Sequence, residues 1–89
     1  MAEIRFTTHL LRHRNVRALQ ADGTSVAEVM AAALADDPIL QSYVLDEQGR
    51  VRKHVAIYLD GRPISDRLRL SDAVAPQSEI YVLQALSGG

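Results

Sequence analysis

The residues able to carry chemistry in this chain are few, and the most suggestive are its last two, Gly88 and Gly89. Glycine has no side chain, so a Gly-Gly end can lie extended in a narrow channel and bring a terminal carboxylate to another protein's active site. The pair follows Ile80-Tyr81-Val82-Leu83-Gln84-Ala85-Leu86, which has the composition of a strand. The three histidines are the other candidates: His9, His13 and His54. His9 and His13 are four apart, which would suit a metal on a helix. They stand instead in a strand-to-turn region beside Arg12 and Arg14, whose charges oppose a dication. His54 falls on the polar parity of a strand, so all three read as solvated groups. No glycine-rich phosphate loop follows a strand, and no serine has a nucleophile context. The chain has no cysteine, which excludes disulfides, Cys-ligated metal and a thiol nucleophile. These residues do not describe an enzyme, and they imply no metal or cofactor.

The elements that must position that end can be read from periodicity. Ile4 and Phe6 alternate with Glu3, Arg5 and Thr7, a half-buried strand over residues 2–7. Val16 to Gln20 reads as a second strand, paired with the first as a hairpin. Asp22-Gly23-Thr24 is turn chemistry. Ser25-Val26-Ala27-Glu28 fits a capping box, with Ser25 accepting at the helix start and Glu28 reaching back to the Ser25 amide. Val26, Val29, Met30, Ala33 and Leu34 then make one apolar helical stripe. Asp36-Asp37-Pro38 should end it, since the residue before proline is pushed out of helical geometry.

The connection from 39 to 49 contains Ile39, Leu40, Tyr43, Val44 and Leu45, which can pack as a short helical turn, and then a polar break at 46–49. Val51 to Leu59 reads as the next long strand. Asp60-Gly61 marks a tight hairpin into a short edge strand, Arg62-Pro63-Ile64, where proline is tolerated. Residues 66–78 are irregular, with Leu68, Leu70 and Val74 as expected anchors. Glu79 to Leu86 is the last strand, placed centrally. One helix crossing one mixed sheet is an α+β arrangement. Its stripe should cover Ile4, Phe6, Val55, Ile57, Ile80 and Val82. The expected division is one domain over 1–86 and a flexible tail over 87–89.

Eighty-nine residues with 47% hydrophobic and 24% charged content fit one ordinary globular domain with a modest core. A net charge of −1 does not call for nucleic acid, and no apolar run approaches the roughly 20 residues of a membrane span. A cytoplasmic setting is the default expectation. Charge is nevertheless uneven. Residues 21–49 hold six acids and no Lys or Arg, whereas residues 50–69 hold five Arg and Lys53 against two Asp. This is either a solvated surface on each side or a basic sheet face that steers toward an acidic partner. On the sheet face away from the helix, Tyr58, Tyr81 and Leu83 should form an exposed aromatic–aliphatic patch, with Leu86 following. Such a patch is either a docking surface or is covered by the 36–50 segment or a second copy.

Three parts of the chain together resemble the sulfur-carrier branch of the ubiquitin-like β-grasp proteins. They are Asp22-Gly23-Thr24-Ser25-Val26-Ala27-Glu28-Val29, the run from Leu45 through His54 to Asp60-Gly61, and the Gly88-Gly89 end. That branch includes the small subunit of molybdopterin synthase, the thiamine-pathway sulfur carrier and a cysteine-biosynthesis carrier. The sequence departs from many relatives at Pro76-Gln77-Ser78-Glu79, where a Gly-Asp turn is usual, and at Gln84-Ala85-Leu86-Ser87, where proline is common.

The resemblance implies a β-grasp fold with a mixed four- to five-stranded sheet and one main helix on one face. It also implies a carrier, not an enzyme. An ATP-dependent, ubiquitin-activating-type enzyme would adenylate the Gly89 carboxylate, and a sulfur donor would convert it to a thiocarboxylate. A sulfur-accepting enzyme would follow, such as the molybdopterin synthase large subunit or a cysteine synthase. Tyr58, Tyr81, Leu83 and Leu86 would dock the partner while Gly88 and Gly89 enter its active site. Two other readings use the same residues: a covalent modifier joined through Gly89 to lysines, and a non-covalent interaction module.

Overall fold

A computed structural model describes residues 1–6 and 18–84 of the chain. The basic stretch with His9, Arg12, His13 and Arg14, and the end with Leu86, Gly88 and Gly89, lie outside the described residues.

β1 (Ala2–Phe6) pairs antiparallel with β2 (Ala18–Ala21), setting Ile4 opposite Leu19. β5 (Glu79–Gln84) lies parallel to β1 on its other side. β3 (Val55–Leu59) runs antiparallel to β5 and carries the two-residue edge strand β4 (Arg62–Pro63). The order β2-β1-β5-β3-β4 makes β5 the central strand, as expected from its apolar residues on both parities.

Helix α1 (Val26–Ala33) begins at the expected cap. Ser25 Oγ accepts from the Glu28 amide at 3.2 Å. The return bond is different. Glu28 Oε1 accepts from the Thr24 amide at 2.7 Å and from the Thr24 hydroxyl at 3.0 Å, not from the Ser25 amide. The cause is the neighbouring segment. Val74 donates to the Thr24 carbonyl, and Val26 donates to the Asp72 carbonyl. These bonds hold Ser25 extended against the 72–74 segment, and Glu28 meets Thr24. Ala27 donates to the Leu70 carbonyl at 2.8 Å, so three amides that a helix start leaves open find partners.

The helix closes at Leu34, before Asp36-Asp37-Pro38. Pro38 then opens a second helix, α2 (Pro38–Val44), where its missing N–H is no loss. Asp37 caps it, accepting from the Leu40 amide at 3.1 Å. The expected helical turn is therefore a seven-residue helix that buries Leu40 and Val44 and exposes Ile39 and Tyr43.

The core lies between the helices and one sheet face. Val26, Val29, Met30 and Leu34 meet Ile4, Phe6, Val55, Ile57, Ile80 and Val82, all buried in one cluster. Each aliphatic side chain fully buried in this way contributes about 1.5–3 kcal/mol. No helix among the described residues is long and apolar enough to cross a membrane.

Two expectations are corrected. The strand expected from Val51 starts only at Val55. The Val51 amide donates to the Arg67 carbonyl and Val51 bridges Leu45, so this stretch pairs with loops rather than the sheet. His54 consequently sits in a turn before β3, not on a strand face. Leu68, expected as an anchor, is 65% exposed, while Leu70 and Val74 are buried. Leu70 takes a left-handed φ of 56°, at a cost of about 1–2 kcal/mol, and this conformation accompanies a buried side chain.

Candidate functional site

The sheet face turned away from the helices holds the expected patch. Antiparallel pairing sets Tyr58 directly opposite Tyr81 and Ala56 opposite Leu83. Tyr81 is 39% exposed, while Tyr58 and Leu83 are half-buried. Tyr58, Tyr81 and Leu83 line a shallow groove of about 310 Å³ together with Gly61 and Glu79. The groove is mostly apolar because alternate residues of β3 and β5 point to this face while Ile57, Ile80 and Val82 point to the core.

Two devices fix the geometry. Asp60 (φ 52°) and Gly61 (φ 85°) form the two-residue turn with both central φ values positive, the geometry that favours Asp-Gly. The turn sends β4 back along β3, with Pro63 opposite Tyr58. Asp60 also ties β3 to the start of β5. Its Oδ1 accepts from the Glu79 amide at 2.9 Å, and its Oδ2 accepts from the Ser78 hydroxyl at 3.0 Å.

Charge flanks the groove on one side. Arg5 lies in register beside Tyr81 on β1, and its Nε donates to Glu3. The hydrogen bond to Glu3 and its charge raise the Arg5 guanidinium further above its ordinary value, so it stays cationic.

The structure therefore brings Tyr58, Tyr81 and Leu83 together. Leu86, Gly88 and Gly89 lie outside the described residues. Gln84, the last of β5, is opposite Val55. The residues that follow it in sequence start from the end of the sheet where β3 begins.

Of the two charge readings, the basic sheet face needs correction. The cations of 50–69 do not form a basic sheet face. β3 carries none, and Arg50, Arg52, Lys53 and Arg67 stand in the connections around it. Composition shows the charge run but not its place, because β3 starts at Val55, four residues after the alternation suggests. Among the described residues, no group of three His, Asp or Glu is placed to hold a metal ion.

The sequence profile of the ThiS family matches residues 4–89. A search of curated protein sequences returns no match. Solved structures share the fold. A chain of the Amycolatopsis orientalis BexX/CysO complex is 17% identical with a TM-score of 0.83, over 100% of both chains. Mycobacterium tuberculosis CysO is 19% identical with a TM-score of 0.81, over 97% of this chain and 100% of that one. SAMP1 from Haloferax volcanii is 23% identical with a TM-score of 0.72, over 99% of this chain and 98% of that one. The mixed five-stranded sheet is thus the β-grasp arrangement that the sequence resemblance implies.

Proposed function

The chain belongs to the ThiS family, among the ubiquitin-like β-grasp sulfur carriers and modifiers, and we propose that it carries sulfur on the Gly89 carboxylate. The observation that carries this reading is the span of the family match, which runs to residue 89 and so includes Gly88-Gly89. A carboxylate is a poor electrophile. Its oxygen attacks the α-phosphorus of ATP on an activating enzyme, pyrophosphate leaves, and the acyl adenylate forms. A hydrosulfide-class nucleophile then attacks the acyl carbon, AMP leaves, and a thiocarboxylate remains. The sulfur rides on the main chain, so the absence of cysteine is consistent with the chemistry. Catalysis belongs to the partners, and this chain is their substrate.

In this reading Tyr58, Tyr81, Leu83 and Leu86 dock the partner, and Gly88 and Gly89 enter its active site. The accepting enzyme is of the molybdopterin synthase large-subunit or cysteine synthase type. The likeness to CysO in a complex with BexX supports a carrier that works through a separate protein. The test is the intact mass of the chain after incubation with its activating enzyme, ATP and a sulfur source. One oxygen should be replaced by one sulfur at the C-terminus, and the Gly88-Gly89 deletion should abolish it. An unchanged mass with an active enzyme overturns the reading.

The likeness to small archaeal modifier protein 1 favours a second reading, attachment of Gly89 to target lysines. Gly–Lys isopeptide remnants in digests of the source cell would support it, and their absence under inducing conditions would count against it.

A further inference from the structure

A second depression in the described surface is larger than the tyrosine groove. It is a cleft of about 720 Å³ between the 46–54 connection and the 67–68 turn. Arg50, Arg52, Lys53 and Arg67 line it against a single acid, Asp46, with His54 at its edge. These groups come together only in the fold, because the Val51 amide bonds the Arg67 carbonyl and closes the two loops on each other.

Two of the guanidinium groups are held in place by carbonyls. Arg52 Nε donates to the Ser42 carbonyl at 2.6 Å, at the end of α2. One Arg67 nitrogen donates to the carbonyls of Arg52 and Val55, at 2.9 and 2.7 Å. Neutral carbonyls orient these cations without cancelling their charge. Their remaining N–H groups stay available, and less side-chain entropy is lost when an anion binds. Of the cleft's cations, Arg50 alone is ion-paired among the described residues, through Nε to Asp46 at 3.0 Å. Lys53 and His54 are exposed and have no bonded partner among the described residues.

The location narrows the occupant. Lys53 and His54 immediately precede Val55, and Val55 is paired with Gln84, the last residue of β5. The cleft therefore opens at the end of the sheet from which residues 85–89 continue. A protein that receives those residues approaches this end of the sheet. Leu68 lines the cleft too and is 65% exposed. An apolar side chain among arginines fits a polypeptide surface better than a free inorganic anion. Arginine's planar fork also matches carboxylates bidentately.

We propose that this cleft binds an acidic segment of the protein partner that takes the C-terminal residues, as a contact separate from the tyrosine groove. The inference rests on the carrier reading for the partner's identity, but the cleft itself can be read without any activation step. Charge placed here acts chiefly on encounter and orientation.

The test uses the full chain and a fluorescein-labelled hexaglutamate peptide, followed by anisotropy at low salt. The wild type should bind it, and binding should weaken as salt rises. Lys53→Glu should weaken it about tenfold. Arg62→Glu makes the same charge change on the edge strand β4, outside the cleft, and should change binding less than about twofold. No binding by the wild type, or equal losses in both variants, overturns the cleft. Displacement of the peptide by inorganic phosphate beyond that by chloride at equal ionic strength also overturns it, in favour of a small-anion site. In the activation assay Lys53→Glu should raise the KM for the carrier with kcat unchanged, and an unaltered KM overturns the partner assignment. Absence of any activation of the wild type, with peptide binding intact, is instead a failure of the carrier reading and removes the partner assignment with it.

Discussion

Asp60 and Glu79, 19 residues apart, clasp each other. The Glu79 amide donates to Asp60 Oδ1 at 2.9 Å, and the Asp60 amide donates to the Glu79 carbonyl at 2.8 Å. This contact sets where β5 starts against the end of β3, and so it sets Tyr58 opposite Tyr81. Beside it Ser78, only 4% exposed, accepts from the Ala75 amide and donates to Asp60.

Ser78→Ala should therefore destabilise the fold by about 1–2 kcal/mol, because it leaves the Ala75 amide and an Asp60 oxygen without this partner. Urea unfolding checks it. Asp60→Asn keeps the shape but weakens the acceptors, and it should cost less than Asp60→Ala. The reverse order would mean that the clasp does not set the register.

Gly23 is required for space, not for an unusual φ. A Cβ there would lie 2.8 Å from Glu28 Cβ and 2.9 Å from the Val29 amide nitrogen, at the start of α1. Backbone cannot yield cheaply at such a distance. Gly23→Ala should cost about 1–3 kcal/mol, read as a lowered thermal midpoint. Gly49→Ala meets nothing within 4 Å, so any loss there comes from its positive φ of 81° alone.

Acid should unfold the chain through a few carboxylates. The Asp46 carboxyl is held below its ordinary range chiefly by the Arg50 amide, Asp66 by the Ser71 hydroxyl, Asp72 by the Ser65 and Asp66 amides, and Glu28 by Thr24. A lowered folded pKa means that the unfolded chain binds more protons. The stability they give is complete above the unfolded values, about 3.9 for Asp and about 4.3 for Glu, and is lost as pH falls through the folded ones. The urea midpoint should be level near neutrality and drop from about pH 5 downward. A midpoint unchanged to about pH 3 would contradict these assignments.

Tyr81→Ala removes the most exposed ring of the groove and no core contact. Thermal stability should change little. In the activation assay the KM for the carrier should rise about tenfold, the scale of losing one aromatic anchor at an interface. An unchanged KM would remove the groove from the docking surface.

Much of this was legible in the sequence, and two of the misses share a cause. The succession of elements along the chain, the Asp60-Gly61 turn and the two parities of β5 follow from local alternation and turn chemistry, which a linear reading captures. The α1 stripe was equally plain, since Val26, Val29, Met30 and Leu34 recur at the helical period. Val51, Leu68 and the return bond of Glu28 were misplaced. Val51 and the Glu28 bond depend on segments distant in the chain: Arg67 for Val51, and the 72–74 stretch for Thr24 and Glu28.

Residue types and periods alone determined an α+β domain with an apolar patch on its outer face, and nominated Gly88-Gly89 as the reacting end. Only the tertiary structure decided where the cations of 50–69 gather. Hydrogen bonds between loops, not the pattern of any one strand, bring Arg52, Lys53 and Arg67 to the rim beside Val55 and Gln84. Such bonds are long-range in sequence, and no local periodicity records them.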